Sequence, residues 1–215
     1  MPTINRKLLI VDDEVLLRSS LSQIFTTFGY SARTAEDGFA ALAAIENEVP
    51  DILLSDLNMP GMSGFELLSV IRRRFPAIQV IAMSGAFSGN AVPAGVVADA
   101  FYEKGSNPCA LLEIVRAMSQ TEQSTFQRTH TVEPILIPKN GHDPSGAEFV
   151  IITCPQCLRT FPQILAEALY PIYETGCTHC SGLILYAIVP PAPTQALQGI
   201  QGGEAPPSGV VGINQ

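Results

Sequence analysis

The stretch Ile52-Leu53-Leu54-Ser55-Asp56-Leu57-Asn58-Met59-Pro60-Gly61-Met62-Ser63-Gly64 decides how the first half of this chain folds. It opens as an apolar run of strand length and hands a carboxylate, Asp56, to a turn rich in Pro and Gly. Upstream, Lys7-Leu8-Leu9-Ile10-Val11 is a second such run, and it ends in the acidic cluster Asp12-Asp13-Glu14. Two strand ends that present carboxylates to one crevice suit a hard divalent cation. They also suit a carboxylate that acts as a nucleophile.

Working outward, residues 6 to 119 alternate between apolar runs and helical patterns. Strands are expected at Lys7–Val11, Tyr30–Thr34, Asp51–Ser55, Gln79–Met83 and Ala100–Glu103. Between the first two, Leu17, Leu21, Ile24, Phe25 and Phe28 recur at three- and four-residue spacing, the stripe of a helix packed on a sheet, and Gly29 ends it. A second helix is expected from Asp37 to Glu48. A third runs from Gly64 to Phe75 with Phe65, Leu68 and Ile71 inward, and a last from Pro108 to Met118. The segment Ala86–Asp99 holds Gly89, Pro93 and Gly95, which predicts a short or irregular helix. Strand–helix alternation implies an α/β fold with a five-stranded parallel sheet covered on both faces, and ligands at the carboxyl ends of its strands.

Composition narrows the function classes. Hydrophobic residues make up 47% of the 215 and charged residues 15%, enough for a packed core. The first 120 residues carry 9 Lys and Arg against 13 Asp and Glu, and the remaining 95 carry 3 against 7, so each part has a net charge of −4. Phosphate backbones need clustered cations, and this balance counts against a nucleic-acid module. Arg72-Arg73-Arg74 is the one basic run and reads as a solvated helix end. No leader pattern and no apolar stretch of about 18 residues is present, which predicts a cytoplasmic chain without a membrane span.

The first 119 residues closely resemble the receiver domain of two-component response regulators, which have the flavodoxin-like fold of CheY. Asp12-Asp13 matches the family's acidic pair, Asp56 its phosphate-accepting aspartate, and Asn58-Met59-Pro60-Gly61-Met62-Ser63-Gly64 the turn that follows. Ser84 falls at the family's Ser/Thr position, Lys104 at its lysine, and Phe101 at its switch aromatic. The resemblance implies that Asp56 takes a phosphoryl group from a sensor histidine kinase or phosphotransfer protein. It implies Mg²⁺ on Asp13, Asp56 and the Asn58 carbonyl, with Asp12 assisting directly or through water. Lys104 and Ser84 would then hold phosphoryl oxygens, and Phe101 would rotate in response. Such a chain accepts phosphate, and can lose it again, without being an enzyme in the ordinary sense. Read singly, the acidic cluster could instead cap the first helix, and Lys104 could be a surface cation. The chain departs from the family where Gly105 replaces the usual Pro, which predicts a trans bond and a displaced Lys104. The Ser84–Lys104 interval is also slightly short.

Residues 121–147 shift to Thr, Gln, Pro and Gly and read as a linker. Residues 191–215 read as a disordered tail. Between them, 148–190 carry Cys154-Pro155-Gln156-Cys157 and Cys177-Thr178-His179-Cys180, two CxxC pairs 19 residues apart. This pattern points to tetrahedral Zn²⁺ on four thiolates, with redox pairs or iron as rivals. Phe149–Ile152 and Leu183–Tyr186 read as flanking strands, and the whole resembles a zinc ribbon, too small to fold without its metal. His179 is a possible competing ligand, His130 and His142 read as linker residues, and Cys109 as a small buried residue. Leu158, Phe161, Leu165, Leu169, Tyr170 and Tyr173 would form the ribbon's small core or a contact surface. Loss of Cys154 is expected to release metal while sparing the receiver, as for two independent units. The ribbon's expected task is docking a downstream protein. Nucleic-acid binding is the alternative output, and a receiver fold that no longer turns over phosphate is the alternative for the whole chain.

Overall fold

The computed structural model describes residues 6–87, 96–120, 133–139, 141–142, 148–165 and 172–189. The expected tail, His130, Leu169, Tyr170 and most of the Ala86–Asp99 segment lie outside them. Five strands, β1 (Lys7–Val11), β2 (Ser31–Ala35), β3 (Ile52–Asp56), β4 (Gln79–Ser84) and β5 (Ala100–Glu103), form one parallel sheet in the order β2-β1-β3-β4-β5. Helices α1 (Val15–Thr27), α2 (Gly38–Asn47), α3 (Gly64–Arg74) and α4 (Pro108–Gln120) cover it.

Successive strand side chains point to opposite faces, so each strand divides its apolar residues between two layers. Leu8, Ile10, Ile52, Leu54, Ile81 and Met83 pack with Leu21 and Phe25 of α1 and with Leu111 and Val115 of α4. Leu9, Val11, Leu53, Val80 and Ala82 pack with Ala41 and Ile45 of α2 and with Leu67, Leu68 and Ile71 of α3. Runs buried on both faces explain why the strands read as continuous rather than alternating. Asp37 accepts from the Ala40 amide at 2.8 Å and Ser63 from the Glu66 amide at 3.3 Å, each satisfying a free amide at a helix start.

The second unit is larger than the sequence suggests and begins earlier. Within the expected linker, Ile135–Pro138 forms β6 and Gly141–His142 forms β7. These join β8 (Glu148–Thr153), β9 (Thr160–Ile164), β10 (Tyr173–Gly176) and β11 (Leu183–Val189) in two three-stranded sheets, β10-β11-β6 and β7-β8-β9. Ile135, Ile137, Val150, Ile152, Phe161, Ile184 and Tyr186 share its core with Cys154 and Cys177.

The two units are packed together rather than loosely tethered. Leu136 and Val189 belong to the same buried cluster as α3, with Leu158 and Ala187 against it. Consequently every α3 residue from Gly64 to Ile71 is buried, not only the three expected to face inward. The basic run at its end is also engaged. Arg72 pairs with Asp99 at 3.1 Å and Arg73 donates to the Glu133 carbonyl, so only Arg74 is the solvated residue expected of all three.

Candidate functional site

Asp56 ends β3, where the Leu57 amide donates to the Met83 carbonyl at 2.9 Å and ties the turn to β4. The α3 helix starts directly behind it. The Gly64 amide donates to the Leu57 carbonyl at 3.0 Å, and a Cβ on Gly64 would lie 1.8 Å from the Asp56 carbonyl oxygen. Only glycine permits that approach, so Gly64 sets how close α3 comes to the acceptor strand.

Asp12 is fully buried at the end of β1, Asp56 is nearly so, and Asp13 is exposed; their carboxylate oxygens lie within 4.8 Å of one another. Asp12 Oδ1 accepts from the Glu14 amide at 2.9 Å, but Glu14, the residue at the N-terminus of α1, makes no side-chain cap. The cluster is therefore turned to the crevice rather than spent on the helix. Arg18 donates to the Asp12 carbonyl, a contact no sequence motif announces.

Lys104 answers the acids. Its amide donates to the Ser84 carbonyl at 2.8 Å, which extends the β4–β5 ladder and aims the side chain inward. Its Nζ stands 2.7 Å from Asp56 Oδ2 and 2.8 Å from Asp12 Oδ2. The Lys104–Gly105 bond is trans, as Gly105 predicts, yet Lys104 is not displaced from the acceptor. Gly105 takes φ +87°, a conformation closed to proline. Burial pushes the Asp56 carboxyl above its ordinary range, and hydrogen bonding and charge from Lys104 pull it back only in part. Burial alone would lower Lys104, but the carboxylates of Asp12 and Asp56 outweigh it and hold the ammonium above its usual value.

Ser84 is buried at the end of β4, and its Oγ accepts from the amides of Ala86 (3.0 Å) and Phe87 (3.3 Å). The hydroxyl thus organises the loop that follows. Phe101 of β5 pairs with Ala82 of β4 and is half-buried against the α2–α3 layer. Asn58 donates its amide to Asp56 Oδ1 at 3.2 Å. The donor set fits Mg²⁺: it is all oxygen, and the ammonium already bridging Asp12 and Asp56 marks the spot as one that calls for positive charge.

A family model for the response regulator receiver domain matches residues 8–116. The chain belongs to this family. The DNA-binding transcriptional regulator NtrC of Klebsiella pneumoniae is 44% identical over 75 residues, 35% of this chain and 16% of NtrC. Sporulation initiation phosphotransferase F of Bacillus subtilis is 39% identical over 80 residues, 37% of this chain and 64% of that protein. Among solved structures, the chemotaxis response regulator CheY4 of Vibrio cholerae matches 53% of this chain and 98% of its own, at 30% identity and a TM-score of 0.50. The chain thus spans about a sixth of the transcriptional regulator's length and under two thirds of the phosphotransferase's. The family match ends before the cysteine unit.

In that unit Cys154, Cys157, Cys177 and Cys180 bring their sulfurs within 4.8 Å of one another. Cys154 Sγ is 3.6 Å from Cys180 Sγ, and Cys157 Sγ is 3.7 Å from Cys177 Sγ. A tetrahedron with metal–sulfur bonds of ~2.3 Å has edges of roughly 3.8 Å, so these two edges match a four-thiolate zinc site. The two knuckles repeat one backbone design. Leu158 and Ser181 donate to the Cys154 and Cys177 carbonyls at 2.8 and 2.9 Å, and both take φ +57°. His179 is not a fifth candidate, because its Nε2 is paired with the Thr160 carbonyl at 3.0 Å. Cys109 proves to be exposed at the start of α4 rather than buried. His142 lies in β7 rather than in a linker. Leu158 faces the receiver core, while Phe161 serves the ribbon's own.

Sequence reasoning missed Glu66. It is buried in the first turn of α3, and its Oε1 accepts from the Thr153 amide, across the contact between the units, at 2.6 Å. Burial pushes its carboxyl up to about 7, against the opposing pull of Thr153. The signal was present but ambiguous. Ser63-x-x-Glu66 is the pattern of a capping box, in which the glutamate turns back on its own helix.

Proposed function

We propose that this chain is a phosphoryl-accepting response regulator that carries a zinc ribbon as its output. The observation that carries the reading is the Lys104 ammonium held 2.7 Å from Asp56 and 2.8 Å from Asp12 at the mouth of the parallel sheet. Asp56 Oδ attacks the phosphorus of a phosphohistidine on a kinase or phosphotransfer protein; the new O–P bond forms as the P–N bond breaks, and the imidazole leaves with the electron pair. Mg²⁺, when held by Asp13, Asp56 and the Asn58 carbonyl with Asp12 beside them, offsets the charge on the transferring group. Lys104 exchanges its carboxylate contact for a phosphoryl oxygen. Ser84 Oγ turns from the Ala86 and Phe87 amides to another phosphoryl oxygen, drawing that loop inward and giving Phe101 room to rotate. The chain accepts phosphate stoichiometrically and is not a turnover enzyme.

Ribbon chemistry favours a protein target. Arg159 is its one cationic residue between Glu148 and Val189, and it leaves Ile164, Ile172 and Leu183 exposed. Incubation with acetyl phosphate and Mg²⁺, read by intact mass, is expected to add one phosphoryl group to wild type and none to Asp56→Asn. Labelling that persists in Asp56→Asn would remove Asp56 from the role. A gel shift with mixed nucleic acid at low salt is expected to show no complex.

A further inference from the structure

Three polar side chains on one stripe of α3 hold the ribbon by its backbone. Glu66 accepts from the Thr153 amide, Ser69 Oγ accepts from the Leu136 amide at 3.2 Å, and Arg73 donates to the Glu133 carbonyl. The spacing of 66, 69 and 73 is that of one helix face. The first contact differs from the others in what lies on either side of it. Thr153 is followed directly by Cys154, a member of the four-sulfur cluster. On the other side Glu66 sits two residues past Gly64, whose Cα closes on the Asp56 carbonyl and whose amide binds Leu57. One helical turn therefore separates the metal knuckle from the acceptor strand.

We infer that zinc occupancy of the cysteine knuckles and phosphoryl binding at Asp56 are coupled through the first turn of α3, with Glu66 as the positioning residue that joins them. The inference rests on the reading that Asp56 accepts the phosphoryl group and the four cysteines hold zinc. With zinc bound, the knuckle fixes the Thr153 amide, and that amide satisfies a carboxyl that has no access to solvent. Without zinc, the Cys154–Leu158 turn loses its anchor and Thr153 its position. The Glu66 carboxyl is then buried without its donor, and water must enter the start of α3 to satisfy it. That loosens Gly64, which packs on the backbone of Asp56 and Leu57. The direction follows: removing zinc weakens phosphoryl binding, and by reciprocity phosphoryl binding tightens zinc.

The test is calorimetric titration of the full chain with beryllofluoride, a phosphoryl mimic, in saturating Mg²⁺, with zinc bound and after chelation. The expected result is a Kd at least about fivefold weaker without zinc, the lower end of ordinary coupling between sites. Glu66→Gln keeps an oxygen acceptor for the Thr153 amide and should preserve that ratio. Glu66→Ala removes it and should bring the ratio below about twofold while the zinc-loaded variant still binds. Hydrogen exchange supplies a second readout that needs no variant. Chelation should speed the amides of Leu67 to Val70 by a larger factor than those of β1, which follow only the stability of the whole chain. Equal affinities with and without zinc would overturn the coupling alone, as would a wild-type ratio retained in Glu66→Ala or exchange accelerated by the same factor in α3 and β1. A zinc-loaded wild type that binds no beryllofluoride would overturn the acceptor reading beneath it.

Discussion

Asp56, Lys104 and Glu66 show how burial sets the chemistry of single residues in this chain. Lys104 neutralises two buried carboxylates that would otherwise repel each other, so its loss has an asymmetric effect. Lys104→Ala should lower the rate of labelling by acetyl phosphate at least tenfold, because Mg²⁺ alone is left to meet the incoming phosphoryl oxygens and the ammonium contact is gone, while Mg²⁺ binding is kept or improved. Labelling rate and Mg²⁺ titration, measured together, check this; parallel loss of both would point to a collapsed site. Glu66 gives a pH prediction. Its folded pKa of about 7 lies above the unfolded value of 4.5, so the folded state holds the proton more tightly. The associated stability is complete below pH 4.5 and is lost as pH rises through 7. Glu66→Gln does not titrate, so its stability relative to wild type should rise between pH 5 and pH 8 by on the order of 2 kcal/mol. Urea unfolding at the two pH values, both with zinc, reads the difference; a flat difference would mean the carboxyl stays solvated.

At the level of elements, α3 is where the sequence was least informative. The five strands and four helices among the receiver's described residues stand within a residue or two of their periodic patterns, because each buries a face that its own spacing reveals. The crevice was legible for the same reason: Asp12, Asp56, Ser84 and Lys104 all follow apolar runs that can only end at one edge of a parallel sheet. The two knuckles announced themselves by spacing. The second face of α3 did not, because Glu66, Ser69 and Arg73 are polar residues at positions where solvent is the default. Ser69 is buried against β6, a four-residue strand hidden in a stretch that composition marks as a linker, and Glu66 against the end of β8. The pairing of β6 with β11 joins residues just over fifty positions apart, and local pattern carries no trace of it. Ser69 offers the direct check. Its Oγ accepts from the buried Leu136 amide, so Ser69→Ala leaves that amide unsatisfied at a cost of about 1–3 kcal/mol. Thermal unfolding should register the loss, and a Thr replacement, which keeps the hydroxyl, should recover part of it.

For the whole molecule, the shared cluster turns two sequence units into one cooperative body. A module on a flexible tether contributes nothing to its neighbour's stability, whereas Leu136 and Val189 are buried in the same cluster as α3. Fully burying one aliphatic side chain stabilises by about 1.5–3 kcal/mol, so the docked ribbon contributes on the order of 3 kcal/mol to the receiver beyond any hydrogen bonds. A fragment ending at Gln120 should therefore unfold in urea with a lower midpoint than the zinc-loaded full chain. Its α3 face, with Glu66, Ser69 and Val70 newly open to water, should also make it more prone to self-association. The full chain should unfold in a single transition seen alike by far-ultraviolet dichroism and by zinc release. Two separated transitions, with the receiver step at the midpoint of the fragment, would show that the ribbon's metal lends α3 nothing.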